Sequence, residues 1–153
     1  MRELVVSKIK EGTVIDHINA GKALLVLKIL KIQPGTDLTV SMAMNVPSSK
    51  MGKKDIVKVE GMFIRDEELN KIALISPNAT INLIRDYEIE RKFKVSPPEV
   101  VEGVLKCPNH ACISNAEREP ITPKFYIKTE EMRATARCHY CGRKIENLDN
   151  YIS

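Results

Sequence analysis

The 153-residue sequence has no tryptophan, and only 5% of its residues are aromatic. Scarce aromatics deprive a protein of the stacking platforms on which unpaired nucleic-acid bases are held. No apolar run approaches the ~18 residues of a membrane-spanning helix. The longest, Ala23 to Leu27, is bounded by Lys22 and Lys28 and reads as part of an amphipathic helix. No signal peptide is recognisable, so a soluble cytoplasmic protein with no membrane partner is expected. A glycine-rich phosphate loop is also missing: Gly52-Lys53-Lys54 has neither the upstream glycine nor the following Ser/Thr. There is no internal repeat, no low-complexity segment and no residue set to which catalytic roles can be assigned.

Cysteine is sparse but patterned. The four cysteines fall as two short pairs, Cys107-Pro-Asn-His-Ala-Cys112 and Cys138-His-Tyr-Cys141. Each pair can turn both thiols toward one point, and Zn²⁺ takes four thiolates at ~2.3 Å in a closed tetrahedral site. The reading is one structural Zn²⁺ per chain, held by Cys107, Cys112, Cys138 and Cys141. Gly142 lets the second knuckle close; the four intervening residues of the first are at the wide end of common spacing. Disulfides would need an oxidising compartment. A Cys138/Cys141 redox pair would want a βαβ context that the sequence around it lacks. His110 and His139 lie inside the knuckles and are read as surface residues.

The net charge of +4 is unevenly placed. Residues 1–96 carry 16 Lys/Arg against 12 Asp/Glu, and residues 97–153 carry 8 of each. Four thiolates and a divalent ion would make the second part negative. Nucleic-acid-binding zinc ribbons rely on phosphate contacts, so a near-neutral module favours a protein partner. A zinc-ribbon nucleic-acid-binding protein is the alternative reading.

Periodicity gives the elements. Leu4 to Lys10 reads as a strand and Gly12 punctuates it. Val14 to Ile18 continues extended, with Val14, Asp16 and Ile18 on one face and Ile15 and His17 on the other. Ala20 to Ile32 has helical spacing and Pro34-Gly35 should stop it. Leu38 to Met44 alternates as a strand, Asn45 to Lys54 reads as a loop, and Asp55 to Glu60 as a strand. Asp66 is the expected N-cap of a helix that ends before Pro77. Thr80–Ile84 and Glu88–Lys94 complete a βαββαβ order plus one strand. The fold class is therefore α+β: a ferredoxin-like βαββαβ sandwich followed by a small all-β zinc ribbon (rubredoxin-like). The expected divisions are residues 1–96, a linker at 97–103 marked by Pro97-Pro98, and residues 104–153. The second part is too small for a strong core, and a stapling metal would make up the deficit.

One binding surface is legible. Lys54 and Lys58 share a strand face, roughly 13 Å apart, and with Lys92 or Lys94 they could neutralise a polyphosphate. Asp16 could accept hydrogen bonds from ribose hydroxyls, and Asn82 could hold a phosphate or a base edge. The plainer alternative is that these lysines are solvated edge residues that block aggregation. His17 beside Asp16 invites an acid–base reading, but adjacent strand residues point to opposite faces.

Several short motifs occur together and in order: Gly12-Thr-Val-Ile-Asp-His17, Met51-Gly-Lys-Lys-Asp55, Ala79-Thr-Ile-Asn82, Tyr87-Glu88, Cys107-Pro-Asn-x-x-Cys-Ile-Ser114 and Cys138-x-Tyr-Cys141. This ordered set, from about Leu4 to Ile145, resembles the regulatory chains of aspartate carbamoyltransferase. The resemblance implies a non-catalytic subunit in pyrimidine biosynthesis. Its N-terminal allosteric domain would bind ATP and CTP, often UTP, and its C-terminal zinc domain would dock on the catalytic chain. Regulatory chains would pair as homodimers through their allosteric domains. By motif, Asp16, His17, Lys54, Lys58 and Lys92 should meet ribose and phosphates. Val6, Ile9, Ile84, Tyr87 and Ile89 should line the base pocket together with Asn82. Asn109 should face the catalytic chain. Ser7, His139 and Gly142 depart from the family pattern: an acidic residue is usual at the first and last positions, and a basic one at the second.

Overall fold

The computed structural model describes residues 9–153. The expected strand at Leu4–Lys10 lies mostly outside them, as do Val6 and Ser7; Ile9 and Lys10 are described and precede the first strand.

The first sheet has five strands: β1 (Glu11–Asn19), β2 (Val40–Ser48), β3 (Gly52–Glu60), β4 (Thr80–Arg85) and β5 (Glu88–Lys94), in the order β2-β3-β1-β4-β5. Neighbours are antiparallel throughout. Two helices, α1 (Ala23–Ile29) and α2 (Asp66–Ile75), supply the crossovers. This is the expected βαββαβ arrangement with β5 as an added edge. Ile15, Ile18, Val57, Val59 and Ile81 meet Val26, Ile29, Ile72 and Ala73 of the helices in one apolar core. At ~1.5–3 kcal/mol per fully buried aliphatic side chain, this core is the main source of stability for the first sheet.

Several boundaries differ from the sequence reading, each for a local reason. β1 carries a bulge: Ile15 pairs with Val57 but Ile18 pairs with Asp55, so Asp16 and His17 together oppose Ile56. His17 adopts φ 57° to accommodate it. The extra residue reverses the alternation, so Ile18 joins Ile15 in the core instead of sharing the face of Val14. β2 runs on to Ser48 through Pro47, which an edge strand tolerates because its outer N–H has no ladder partner to lose. The stretch read as a loop is therefore a tight hairpin into β3. α1 stops at Leu30 before reaching Pro34: Lys31 takes φ 61°, and the Ile32 amide bonds back to Leu27 O, a left-handed C-terminal cap made without glycine. α2 is capped at Arg65 and not Asp66, with the Glu68 carboxylate reaching back to the Arg65 amide at 3.0 Å.

The second sheet holds β6 (Val100–Glu102), β7 (Lys124–Glu130), β8 (Arg133–Cys138) and β9 (Lys144–Ile145), in that order. β6 falls inside the stretch read as a linker and is hydrogen-bonded along β7. Its core of Val101, Leu105, Phe125, Ala136, Ile145 and Leu148 is small, and it takes in Leu74 from α2. The two sheets thus share a packed seam. Ile152 touches both cores, Lys22 pairs with Asp149, and Lys71 Nζ donates to Ser153 O at 2.8 Å.

Candidate functional site

The helix-free face of the first sheet collects most of the residues named above. Registered pairs place Lys58, Val14, Asn82 and Lys92 in one row across β3, β1, β4 and β5. Asp16 follows Val14 on that face. Lys54 approaches it from β3, with Nζ 2.9 Å from the carboxylate. Lys58 is only 7% exposed and Asn82 9%. Asn82 Nδ2 donates to Val14 O at 3.4 Å. Ile9, Val14, Ile56 and Ile84 form a small apolar floor beside the row. Ile89 stands opposite Ile84 in register, and both Ile89 and the Tyr87 ring are exposed. Asp86 and Tyr87 have φ 53° and 68°, as a two-residue hairpin turn requires, and the Tyr87 amide donates to Lys10 O at 3.0 Å.

The bulge alters the expected relation of Asp16 to His17. The His17 amide donates to Asp16 Oδ1 at 2.6 Å, and His17 Nδ1 lies 3.0 Å from Thr80 Oγ1. Thr80 is the β4 partner of Asp16. The imidazole and the carboxylate therefore converge on one end of the same face, although their side chains make no direct bond. Burial pushes the His17 pKa down; Lys54, Lys50 and Lys92 push the same way, against the pull of Asp16. Burial and the neighbouring ammonium groups thus both disfavour the imidazolium.

A cavity of about 270 Å³ opens beside it. His17, Lys50, Thr80 and Lys94 wall it from the sheet, and Glu131 and Met132 close it from the β7–β8 turn. Lys50, Thr80 and Glu131 have no place in the sequence-based site. Lys50 enters because the β2–β3 hairpin is tight, and Glu131 comes from across the seam.

The second feature is the thiol cluster. The Sγ atoms of Cys107, Cys112, Cys138 and Cys141 all lie within 4.8 Å of one another, and among the described residues no other such group of potential metal ligands occurs. Cys107–Cys141 and Cys112–Cys138 are 3.6 and 3.7 Å apart. A tetrahedron with ~2.3 Å metal–sulfur bonds has edges of about 3.8 Å, so the donor set fits such an ion. The wide first knuckle is closed by Asn115, whose Nδ2 donates to Cys107 O and Asn109 O at 2.9 and 2.8 Å. Asn109 Oδ1 accepts the Ala111 amide at 3.1 Å. In the second knuckle Gly142, at φ 76°, returns its amide to Cys138 O at 3.0 Å. Burial drives the Cys107 thiol up to about 12 and raises Cys138. At Cys141, burial also pushes upward, but the Arg143 amide, Asn109 and the neighbouring sulfurs outweigh it and bring the thiol down to about 6. Four clustered thiols would ionise together only around a cation. His110 and His139 are exposed and outside the cluster; His139 Nδ1 instead meets Tyr126 Oη at 2.5 Å.

A cation-lined sheet face joined to a four-thiol cluster defines a two-part binding protein, with one face suited to an anion and one site suited to a metal ion. Residues 4–96 match the family model described as aspartate carbamoyltransferase regulatory chain, allosteric domain, and residues 99–150 match that of its metal binding domain. The chain belongs to the aspartate carbamoyltransferase regulatory chain family. It is similar to the regulatory chain of Pyrococcus abyssi, with 58% identity over 147 residues, 95% of both chains. The Pyrococcus furiosus chain is 56% identical over 147 residues, again 95% of both. The Thermofilum pendens chain is 54% identical over 153 residues, 98% of this chain and 96% of that one.

Proposed function

We propose that this chain senses nucleotides for aspartate carbamoyltransferase, binding ATP and CTP at the helix-free face of the first sheet. The observation that carries the reading is the row Lys58–Val14–Asn82–Lys92, with Asp16 and Lys54 paired beside it. Lys54, Lys58, Lys92 and His17 would meet phosphates, and Asp16 the ribose. Asn82, Ile9, Ile84, Ile89, Tyr87 and Val6 would form the base pocket. Residues 1–96 would be the sensing domain, 97–103 the connection, and 104–153 the domain that docks on the catalytic chain. Zn²⁺ would be the ion held by Cys107, Cys112, Cys138 and Cys141, because soft thiolates in a tetrahedron suit it. The chains would pair as homodimers in the cytoplasm and bridge catalytic subunits in pyrimidine biosynthesis. Nucleotide binding would bias one quaternary state, with coupling of about 1–3 kcal/mol as is usual for such systems.

Calorimetric titration of the assembled complex with ATP, and with CTP in the presence of saturating ATP, tests the single site. Competition is expected. CTP affinity indifferent to ATP would overturn the shared pocket, and Lys58→Ala should weaken both nucleotides together. Metal analysis after dialysis should return one zinc per chain.

A further inference from the structure

The cavity beside His17 is built by both halves of the molecule, and this inference rests on the nucleotide reading above. The first sheet contributes His17 and Lys94, its β2–β3 turn contributes Lys50, and the β7–β8 turn contributes Glu131. The turn is not a free flap. Met132 adopts φ 65°, and its carbonyl accepts Asn19 Nδ2 at 2.6 Å. Asn19 is two residues beyond His17, at the end of the bulged strand. From Met132 the chain passes directly into β8, which ends at Cys138 in the thiol cluster. A single cavity wall therefore runs from the cations of the first sheet to the metal-binding half.

We infer that Glu131 is a positioning residue through which the metal-binding half senses a polyanion at His17, Lys50 and Lys94. Glu131 is the one acidic residue among the described residues lining the cavity, beside two lysines and a histidine. A polyphosphate end entering beside it takes over those counter-charges and repels the carboxylate at close range, where screening is weak. The Asn19–Met132 bond ties the turn to the bulged strand and Met132 leads directly into β8, so the repulsion is borne by β8 and passes along it toward the cysteines. The ligand class is a polyphosphate, with or without an attached nucleoside, and the output is a displaced turn.

The test uses the complex with the catalytic chain, in wild-type form and as Glu131→Gln and Glu131→Asp. Binding of inorganic tripolyphosphate and of ATP is measured by calorimetry at low salt. The shift in substrate half-saturation caused by ATP is measured alongside. In Glu131→Gln, affinity should rise about threefold or more, since one repelling charge inside a Debye length is gone, and the ATP-induced shift should shrink by a similar factor. Glu131→Asp should keep both properties near wild type. The opposite movement of affinity and coupling is the signature, because a merely structural role would lower both. Loss of both, or a rise in affinity with coupling intact, overturns the inference while leaving the nucleotide site standing. So does a Glu131→Gln complex indistinguishable from wild type. If the wild-type complex binds neither tripolyphosphate nor ATP, the nucleotide reading fails and takes this inference with it.

Discussion

Asp55 is fully buried, and its two carboxylate oxygens accept three backbone amides: Gly21 at 2.9 Å, Ala23 at 3.0 Å and Asn45 at 2.9 Å. It therefore fixes the start of α1 and the irregular part of β2 from a position on β3. Asp55→Ala should cost about 2–4 kcal/mol in a denaturant titration, because those amides would be left without acceptors. In sequence Asp55 was legible as a strand start and as the end of the Met51–Asp55 motif, but not as an acceptor for α1 and β2, since both attachments are distant. Gly12 has a different constraint: at φ 148°, an added Cβ would lie 2.2 Å from Val59 O. Gly12→Ala should push β1 off β3 and lower the melting temperature, and an unchanged melting curve would contradict the register. His17 gives a pH dependence whose sign can be worked out. Its folded pKa lies below the unfolded value of 6.5. The unfolded chain therefore takes up the proton first, and stability present above that pH is lost as pH falls below it. A bound polyphosphate would favour the imidazolium, so binding should strengthen as pH falls toward the lowered His17 pKa, with proton uptake. Calorimetry in buffers of different ionisation enthalpy should show that uptake in wild type and not in His17→Gln.

The elements were legible where the pattern was local. Helical spacing in α1 and α2 and the paired cysteine knuckles led directly to the strand order and to the thiol cluster. Lys54 and Lys58 reached one face because strand alternation holds between them on β3, and Asn82 and Lys92 join it through direct register, ahead of the shift at Leu83/Ile84 in the β4–β5 pair. Alternation failed on β1, where the bulge depends on a non-glycine residue at positive φ and leaves no mark in composition. It failed again at the β7–β8 turn, whose contact with Asn19 bridges segments more than a hundred residues apart. Leu74 shows how far the elements are shared: it projects from α2 into the core of the second sheet, 2% exposed. Leu74→Ala should cost about 3 kcal/mol, as for other buried leucines. Hydrogen exchange should locate the loosening in β7 and β8 as well as in α2; a change confined to α2 would mean the cores are independent. Removing the metal with a chelator should likewise abolish protection in β7 and β8 and release the catalytic partner, while β1 and β3 stay protected.

Across the whole molecule the positive charge sits with the first sheet and the second half is balanced, 8 cations against 8 anions over residues 97–153. A polyelectrolyte partner would need a continuous basic stripe along the metal-binding half. Low-salt gel shifts with duplex DNA or RNA should therefore show no retardation of the zinc-loaded chain. The segment from Tyr151 onward remains: Ile152 lies against both cores, its backbone bridges to Leu105, and the Ser153 amide reaches Val104 O at 2.7 Å. A ribosome makes α2 long before it reaches this stretch. During synthesis the nascent first sheet must wait with the Leu74 side of α2 uncovered until the second sheet, and after it Ile152, has been made. Quality control in the cell would then act on a species that is native in one half and unsealed at the seam, and a chain shortened after Asn150 would leave the Ile152 part of that seam open.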